Sequence, residues 1–174
     1  MNSSASELIR IIPDFPKPGI VFKDITPLLA NADAFRRVSD QIADNAKEVD
    51  YIAGIEARGF ILGSAVAAIC NKGLIPIRKS GKLPGKTLST SYELEYGKAT
   101  LEIHADLIPA GSRVLVVDDV LATGGTAVAA LDLIKMAGLS PIQISFLLEI
   151  AALGGRSRIA QSYPQLNIQT VLAE

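Results

Sequence analysis

A chain of 174 residues, 49% apolar and 20% charged, is long enough to bury a substantial core as one domain and too apolar for disorder. Its formal net charge of −1 offers no basic surplus to a nucleic acid, and its one cysteine, Cys70, excludes an internal disulfide and suits a reducing cytoplasm. The first six residues have neither a basic region nor an apolar stretch, so no signal peptide is expected, and no apolar run reaches the ~18 residues of a membrane helix.

In chain order, Ser6 is expected to cap a short helix from Glu7 to Ile12. The segment Asp14-Phe15-Pro16-Lys17-Pro18-Gly19 then breaks regular structure. Ile20-Val21-Phe22 that follows is either a connector docked on the core or a binding loop that presents an aromatic ring and free backbone groups. Asp33 is placed as the cap of a helix reaching Glu48, with apolar residues at three- and four-residue spacing. Tyr51–Ile55 reads as a buried strand and roughly Phe60–Asn71 as a helix stopped by Gly73. Leu74–Ile77 is the next strand. Strand, helix and strand with short connections predict a parallel pair with a right-handed crossover. Ligands in such sheets gather beyond the carboxyl ends of the strands, where Arg58 and the segment Arg78-Lys79-Ser80-Gly81-Lys82 fall.

From 83 to 105 the pattern changes to a polar, glycine- and proline-bearing run, read as a hairpin-like excursion that is mobile and closes over a ligand. Its second arm, Lys98–His104, alternates as a strand with one wet face, and His104 is an ordinary surface residue. Val114–Val117 is a strand buried on both faces that runs into Asp118 and Asp119, followed by Ala122-Thr123-Gly124-Gly125-Thr126. A glycine turn at a helix start offers backbone N–H groups to a phosphate. The two aspartates can accept sugar hydroxyls or hold a divalent metal. The helix is expected to end at Gly138, with later strands at Ile142–Leu148 and Asn167–Leu172 and a short helix beginning near Gly154. The whole is α/β, a central mostly parallel sheet flanked by helices.

Gly85-Lys86-Thr87 is not preceded by the first glycine of a Walker pattern, whose place Ser80 takes, so a Walker-type nucleotide site is disfavoured, and no third glycine completes a dinucleotide fingerprint. An aspartyl-phosphate receiver would leave Thr123-Gly124-Gly125-Thr126 without a purpose. Val117-Asp118-Asp119-Val120-Leu121-Ala122-Thr123-Gly124-Gly125-Thr126 resembles the phosphoribosyl pyrophosphate (PRPP) motif of type I phosphoribosyltransferases. Phe15–Ile25, Glu56–Phe60, Ile77–Gly85, Ser91–Gly97 and the Glu149 and Gly155-Arg156 region narrow the resemblance to the adenine phosphoribosyltransferases. The chain departs at Lys23 and Ala57, where many members have Arg and Ser.

The resemblance implies the type I phosphoribosyltransferase fold over residues 1–174, with a small N-terminal base-binding hood at 1–32 and a flexible catalytic loop at 83–105. It implies that Ala122, Thr123, Gly124, Gly125 and Thr126 hold the 5′-phosphate and that Asp118 and Asp119 bind the ribose and stabilise the positive sugar. Arg58, Lys79 and Lys82 meet pyrophosphate, with Arg78 doing so or reaching a neighbouring subunit. Val21, Phe22 and Lys23 bind adenine, Phe22 by stacking and the other two through their backbone. Glu95 is the candidate acid/base, with Glu93 its competitor in sequence and Tyr96 beside it on the loop. Mg²⁺ is held mainly by PRPP, with no direct protein ligand expected. PRPP, adenine, AMP and pyrophosphate are the small-molecule partners of a cytoplasmic homodimer, with neither nucleic acid nor membrane. The competing readings are a phosphoribosyltransferase for another base and a PRPP-sensing regulator without catalysis.

Overall fold

The computed structural model describes residues 5–93 and 98–173. A seven-stranded sheet runs in the order β5-β6-β4-β3-β7-β8-β9. Its parallel part is β4 (Gly73–Lys79), β3 (Tyr51–Ile55), β7 (Arg113–Leu121), β8 (Ser140–Glu149) and β9 (Asn167–Ala173). These strands alternate between two apolar faces. Ile52, Leu115, Val117 and Leu147 pack under α1 (Thr26–Ala30), α2 (Ala32–Ala43) and α3 (Arg58–Cys70). Ala53, Ile55, Val116 and Phe146 pack under α4 (Gly125–Met136) and α5 (Gly155–Ser162). Burial on both faces is why these strands read as continuous apolar runs. Because β3, β4 and β7 are parallel, Glu56, Lys79 and the Asp118-Asp119 pair all leave the sheet at one edge.

The excursion is a hairpin of β5 (Thr87–Glu93) and β6 (Lys98–His104), antiparallel to each other, with β6 antiparallel to the end of β4 at Arg78↔Glu102. On the face of β6 expected to be wet, Lys98 is exposed and Thr100 and His104 are half-buried, but Glu102 is 5% exposed, because its carboxylate turns back onto the segment after β4.

Near the N-terminus the expected helix over 7–12 is replaced by a 3₁₀ turn at Ser6–Leu8 and a strand, β1 (Arg10–Ile12). The β-branched Ile11 and Ile12 suit a strand, and β1 pairs antiparallel with β2 (Phe22–Asp24). Asp24 secures the pair. It takes hydrogen bonds from the Thr26 hydroxyl and N–H and from Arg10 Nε at 2.9 Å, which hold its carboxyl down to about 2. Pro27 lies in the first turn of α1, where its missing N–H is no loss. Asn31 rather than Asp33 caps α2, accepting the Ala34 N–H at 3.0 Å. That helix ends at Ala43, short of Glu48. Asn71, in the left-handed conformation, stops α3, and Gly73 already belongs to β4. No described helix is long and apolar enough to cross a membrane.

Candidate functional site

At the end of β7 the chain turns through Ala122, Thr123 and Gly124 into α4. Gly124 has φ 80 and ψ −3, a left-handed conformation that glycine adopts without strain. No side chain caps α4, so its first-turn N–H groups keep their hydrogen-bonding capacity at the positive end of the helix dipole. Gly155 lies directly beneath: a Cβ there would stand 2.2 Å from the Ala122 carbonyl oxygen. Arg156 fixes Gly155 in place, with Nε donating to Glu149 Oε1 at 3.0 Å and Nη1 to the Ile168 carbonyl at 2.9 Å. The Thr126 hydroxyl donates to the Tyr92 hydroxyl at 3.2 Å, tying the hairpin to the turn. The niche enclosed by Asp118, residues 120–127 and Phe146 is ≈ 70 Å³, room for one small anion.

Beside this niche stand the two carboxylates. Asp119 is 5% exposed, whereas Asp118 opens partly onto the cleft and its Oδ1 accepts the Asp119 N–H at 2.9 Å. Arg58 Nε lies 2.8 Å from Asp119 Oδ2, near enough for charge pairing. Its N–H is not aligned with that oxygen, so Asp119 Oδ2 accepts no hydrogen bond among the described residues. Burial, and then the charge of Asp119, push the Asp118 carboxyl well up from its ordinary value. Burial raises Asp119 too, against the opposing pull of Arg58. Two crowded carboxyls with an unsatisfied oxygen suit a cation or a developing positive charge.

Arg58, the first residue of α3, spans two parts of the cleft. Its Nη1 donates to the Lys23 carbonyl at 3.0 Å, and its guanidinium carbon sits 4.8 Å from the centre of the Phe22 ring. Phe15 meets the same ring edge-on, 5.1 Å between centres. Val21 is 52% exposed beside it. The cleft shared by Val21, Phe22, Lys23, Arg58, Asp118 and Asp119 holds ≈ 400 Å³ and adjoins the niche at the β7–α4 turn through Val120, Ala122 and Thr126.

The basic segment after β4 divides. Lys79 lines the cleft. Arg78 and Lys82 instead close on Glu56: Lys82 Nζ donates to Oε1 at 2.7 Å and Arg78 Nε to Oε2 at 3.3 Å. Oε2 also accepts the Lys79 N–H at 3.0 Å. Led by the Lys82 hydrogen bond, these contacts hold the Glu56 carboxyl at about 2. Arg78 Nη1 further donates to the Lys82 carbonyl at 3.0 Å.

The structure therefore gathers Val21, Phe22, Lys23, Arg58, Lys79, Asp118, Asp119 and residues 122–126 around one cleft, with Arg78 and Lys82 tied back at its rim. Glu95 and Tyr96 lie outside the described residues, as does the Glu93 side chain. Sequence reasoning gave no role to Glu56, Tyr92 or Glu102, and noted Gly155 only within a matching segment. Each acts on residues distant in the chain, and only the carboxylate of Glu56 next to Arg58 carried a local signal. Asp118 and Asp119 are the fitting donors for a divalent cation, and no group of three or more His, Cys, Asp or Glu able to hold one occurs among the described residues. That donor set fits Mg²⁺ only if substrate oxygens supply most of the ligands.

Residues 22–166 match the model of the phosphoribosyl transferase domain. The adenine phosphoribosyltransferase of Thermobifida fusca is 54% identical over 166 residues, covering 92% of this chain and 94% of that one. The crystal structure of the Thermoanaerobacter pseudethanolicus adenine phosphoribosyltransferase superposes with a TM-score of 0.92 at 44% identity, covering 98% of each chain. That of the Saccharomyces cerevisiae enzyme, complexed with an imino-altritol bisphosphate and adenine, gives 0.89 at 36% identity, covering 97% of this chain and 96% of that one. With the glycine turn, the paired aspartates and the aromatic pocket on one sheet edge, this chain belongs to the phosphoribosyltransferase family, among its adenine phosphoribosyltransferases.

Proposed function

We propose that this protein transfers the 5-phosphoribosyl group from PRPP to adenine, giving AMP and pyrophosphate, a purine salvage step. The observation that carries the reading is the single cleft that runs from Phe22 past Asp118 and Asp119 to the turn at Gly124. A base, a ribose and a 5′-phosphate need those three environments in that order.

In this reading residues 122–126 take the 5′-phosphate through backbone N–H groups and the Thr123 and Thr126 hydroxyls. Asp118 and Asp119 accept the ribose hydroxyls. As the C1′–pyrophosphate bond breaks, positive charge grows on the sugar beside two carboxyls whose ionisation burial has made costly. That charge is stabilised more in the transition state than in the ground state, which is what accelerates the step. The purine N9 then bonds C1′, and its proton leaves to a base for which Glu95 is the candidate. Arg58, Lys79 and Lys82 receive pyrophosphate, with Arg78 beside them or directed to a partner's site. Mg²⁺, when bound, neutralises pyrophosphate oxygens and improves the leaving group.

Adenine stacks on Phe22, and the backbone of Val21 and Lys23 reads its edge. The Lys23 carbonyl already accepts one hydrogen bond from Arg58, which favours the Val21 carbonyl as the acceptor of the 6-amino group. A 6-oxopurine would set two acceptors face to face, and at ~1–3 kcal/mol per unpaired buried polar group it is rejected by roughly a hundredfold or more. The protein is further expected to act in the cytoplasm as a homodimer. The exposed Ile61 and Ile69 on α3 supply apolar surface for a partner.

Assays of base consumption with PRPP, with and without Mg²⁺, test the reading. Adenine should be converted to AMP with release of one pyrophosphate, and the rate should collapse without Mg²⁺. Preference for hypoxanthine, guanine or uracil would overturn the base assignment. Tight PRPP binding without turnover on any base would point to a regulator instead.

A further inference from the structure

The segment from Ser80 to Leu83 carries Lys82, and it contains Gly81 in a left-handed turn, φ 82, in a place exposed to solvent. Something must hold such a turn still if it is to present cations to pyrophosphate. The Lys82 side chain has Glu56, but a side-chain ion pair does not fix a backbone. Glu102 does. It enters from β6, buried to 5% exposure, and its Oε1 accepts the Lys82 N–H at 2.8 Å and the Leu83 N–H at 2.7 Å. Burial works against its charge, and the Leu83, Gly81 and Lys82 N–H groups together outweigh that, leaving its carboxyl below the ordinary value. Its pairing register places it opposite Arg78, whose charge favours the ionised form as well. Glu102 does not line the cleft and so does not touch substrate.

We propose that Glu102 is a positioning residue for the pyrophosphate half of the site: a buried carboxylate that gathers the backbone N–H groups of Lys82 and Leu83 and so sets where Lys82 stands. The proposal rests on the transfer reaction above for its substrate. Its role complements that of Glu56, which holds the side chains of Arg78 and Lys82 and the N–H of Lys79, while Glu102 holds the main chain at Lys82 and Leu83. One carboxylate without the other leaves the basic segment only half fixed.

Kinetics of E102A and E102Q, with KM for PRPP and for adenine measured separately, test this, together with calorimetric titration of inorganic pyrophosphate and the melting temperature of each variant. E102A leaves the Lys82 and Leu83 N–H groups without this acceptor, so KM for PRPP and Kd for pyrophosphate should each rise about tenfold, with KM for adenine moving less than about twofold. E102Q keeps Oε1 as an acceptor and should recover part of the loss, to ~threefold. Equal rises in both KM values, or an unchanged pyrophosphate Kd in a folded variant, would overturn the proposal. If E102A does not fold, E102Q decides it by the same two readouts. An inactive wild-type protein would refute the reaction, while the pyrophosphate titrations would still judge Glu102 on their own.

Discussion

The two regions of this cleft proposed to receive anions are built by opposite means. The turn from β7 into α4 is made of backbone: Gly124 in a left-handed conformation, Gly155 packed beneath it and a row of uncapped N–H groups. The segment after β4 is made of side chains, with Arg78 and Lys82 drawn onto Glu56 and the main chain drawn onto Glu102. A backbone site has its geometry fixed by local dihedrals and packing, so it changes only when the chain is forced to move. A side-chain site is held by charges that titrate and exchange partners, so it can let go of its cations when a stronger anion arrives. The first suits a 5′-phosphate that stays through the reaction; the second suits a pyrophosphate that must leave.

The largest expected effect lies between the two sites. D118N removes one of the crowded carboxyls and should lower kcat by about 10²–10³, the scale of lost electrostatic stabilisation in a transition state. The same change should raise the melting temperature at neutral pH. The folded-state pKa of Asp118 is raised, so its contribution to stability is full below the ordinary value of 3.8 and is lost as pH rises through the raised value. The amide carries no such liability. An active D118N, or one less stable at pH 7, would contradict this account of the pair.

Next is the backbone site. G155A places a Cβ against the Ala122 carbonyl and forces the turn to shift, at about 1–3 kcal/mol of stability. Melting temperature should fall by several degrees and KM for PRPP should rise about tenfold or more, since the phosphate N–H groups lose their common focus. Normal KM for PRPP in this variant would show that the turn is not the phosphate site.

The smallest effect belongs to the side-chain site and depends on pH. The Glu56 carboxyl, held at about 2 against a reference of 4.5, contributes stability that is present above 4.5 and is lost as pH falls through about 2. E56Q should therefore melt below the wild type at pH 7, and the gap should shrink as the pH is lowered from 4.5 towards 2. A gap independent of pH would mean that Glu56 acts by shape and not by charge.

The same contrast explains what the sequence could reveal. The run from Val114 to Thr126 announces strand, carboxylates, turn and helix in order, because those features are written in consecutive residues; the distant partners Gly155, Tyr92 and Arg58 are not. The parallel strands were equally legible through their apolar runs. Glu102 was assigned to a wet strand face since its alternation with Leu101 and Ile103 looked like exposure, while its acceptor role is met by residues 19 and 20 positions away. The N-terminal helix was expected because isoleucines at 9, 11 and 12 also fit a helical face; pairing with Phe22–Asp24 decided for a strand. The resemblance implies pyrophosphate for Arg58, and its contacts with Phe22, Lys23 and Asp119 are not legible in the sequence because they come from distant segments.

The central claim, that this one cleft joins adenine to a phosphoribosyl group, is tested most directly by competition. With limiting PRPP, Mg²⁺ and equimolar adenine and hypoxanthine, the protein should yield AMP over IMP by roughly a hundredfold, as two opposed acceptors at position 6 require. IMP in comparable or greater amount, or no nucleotide at all, would contradict it.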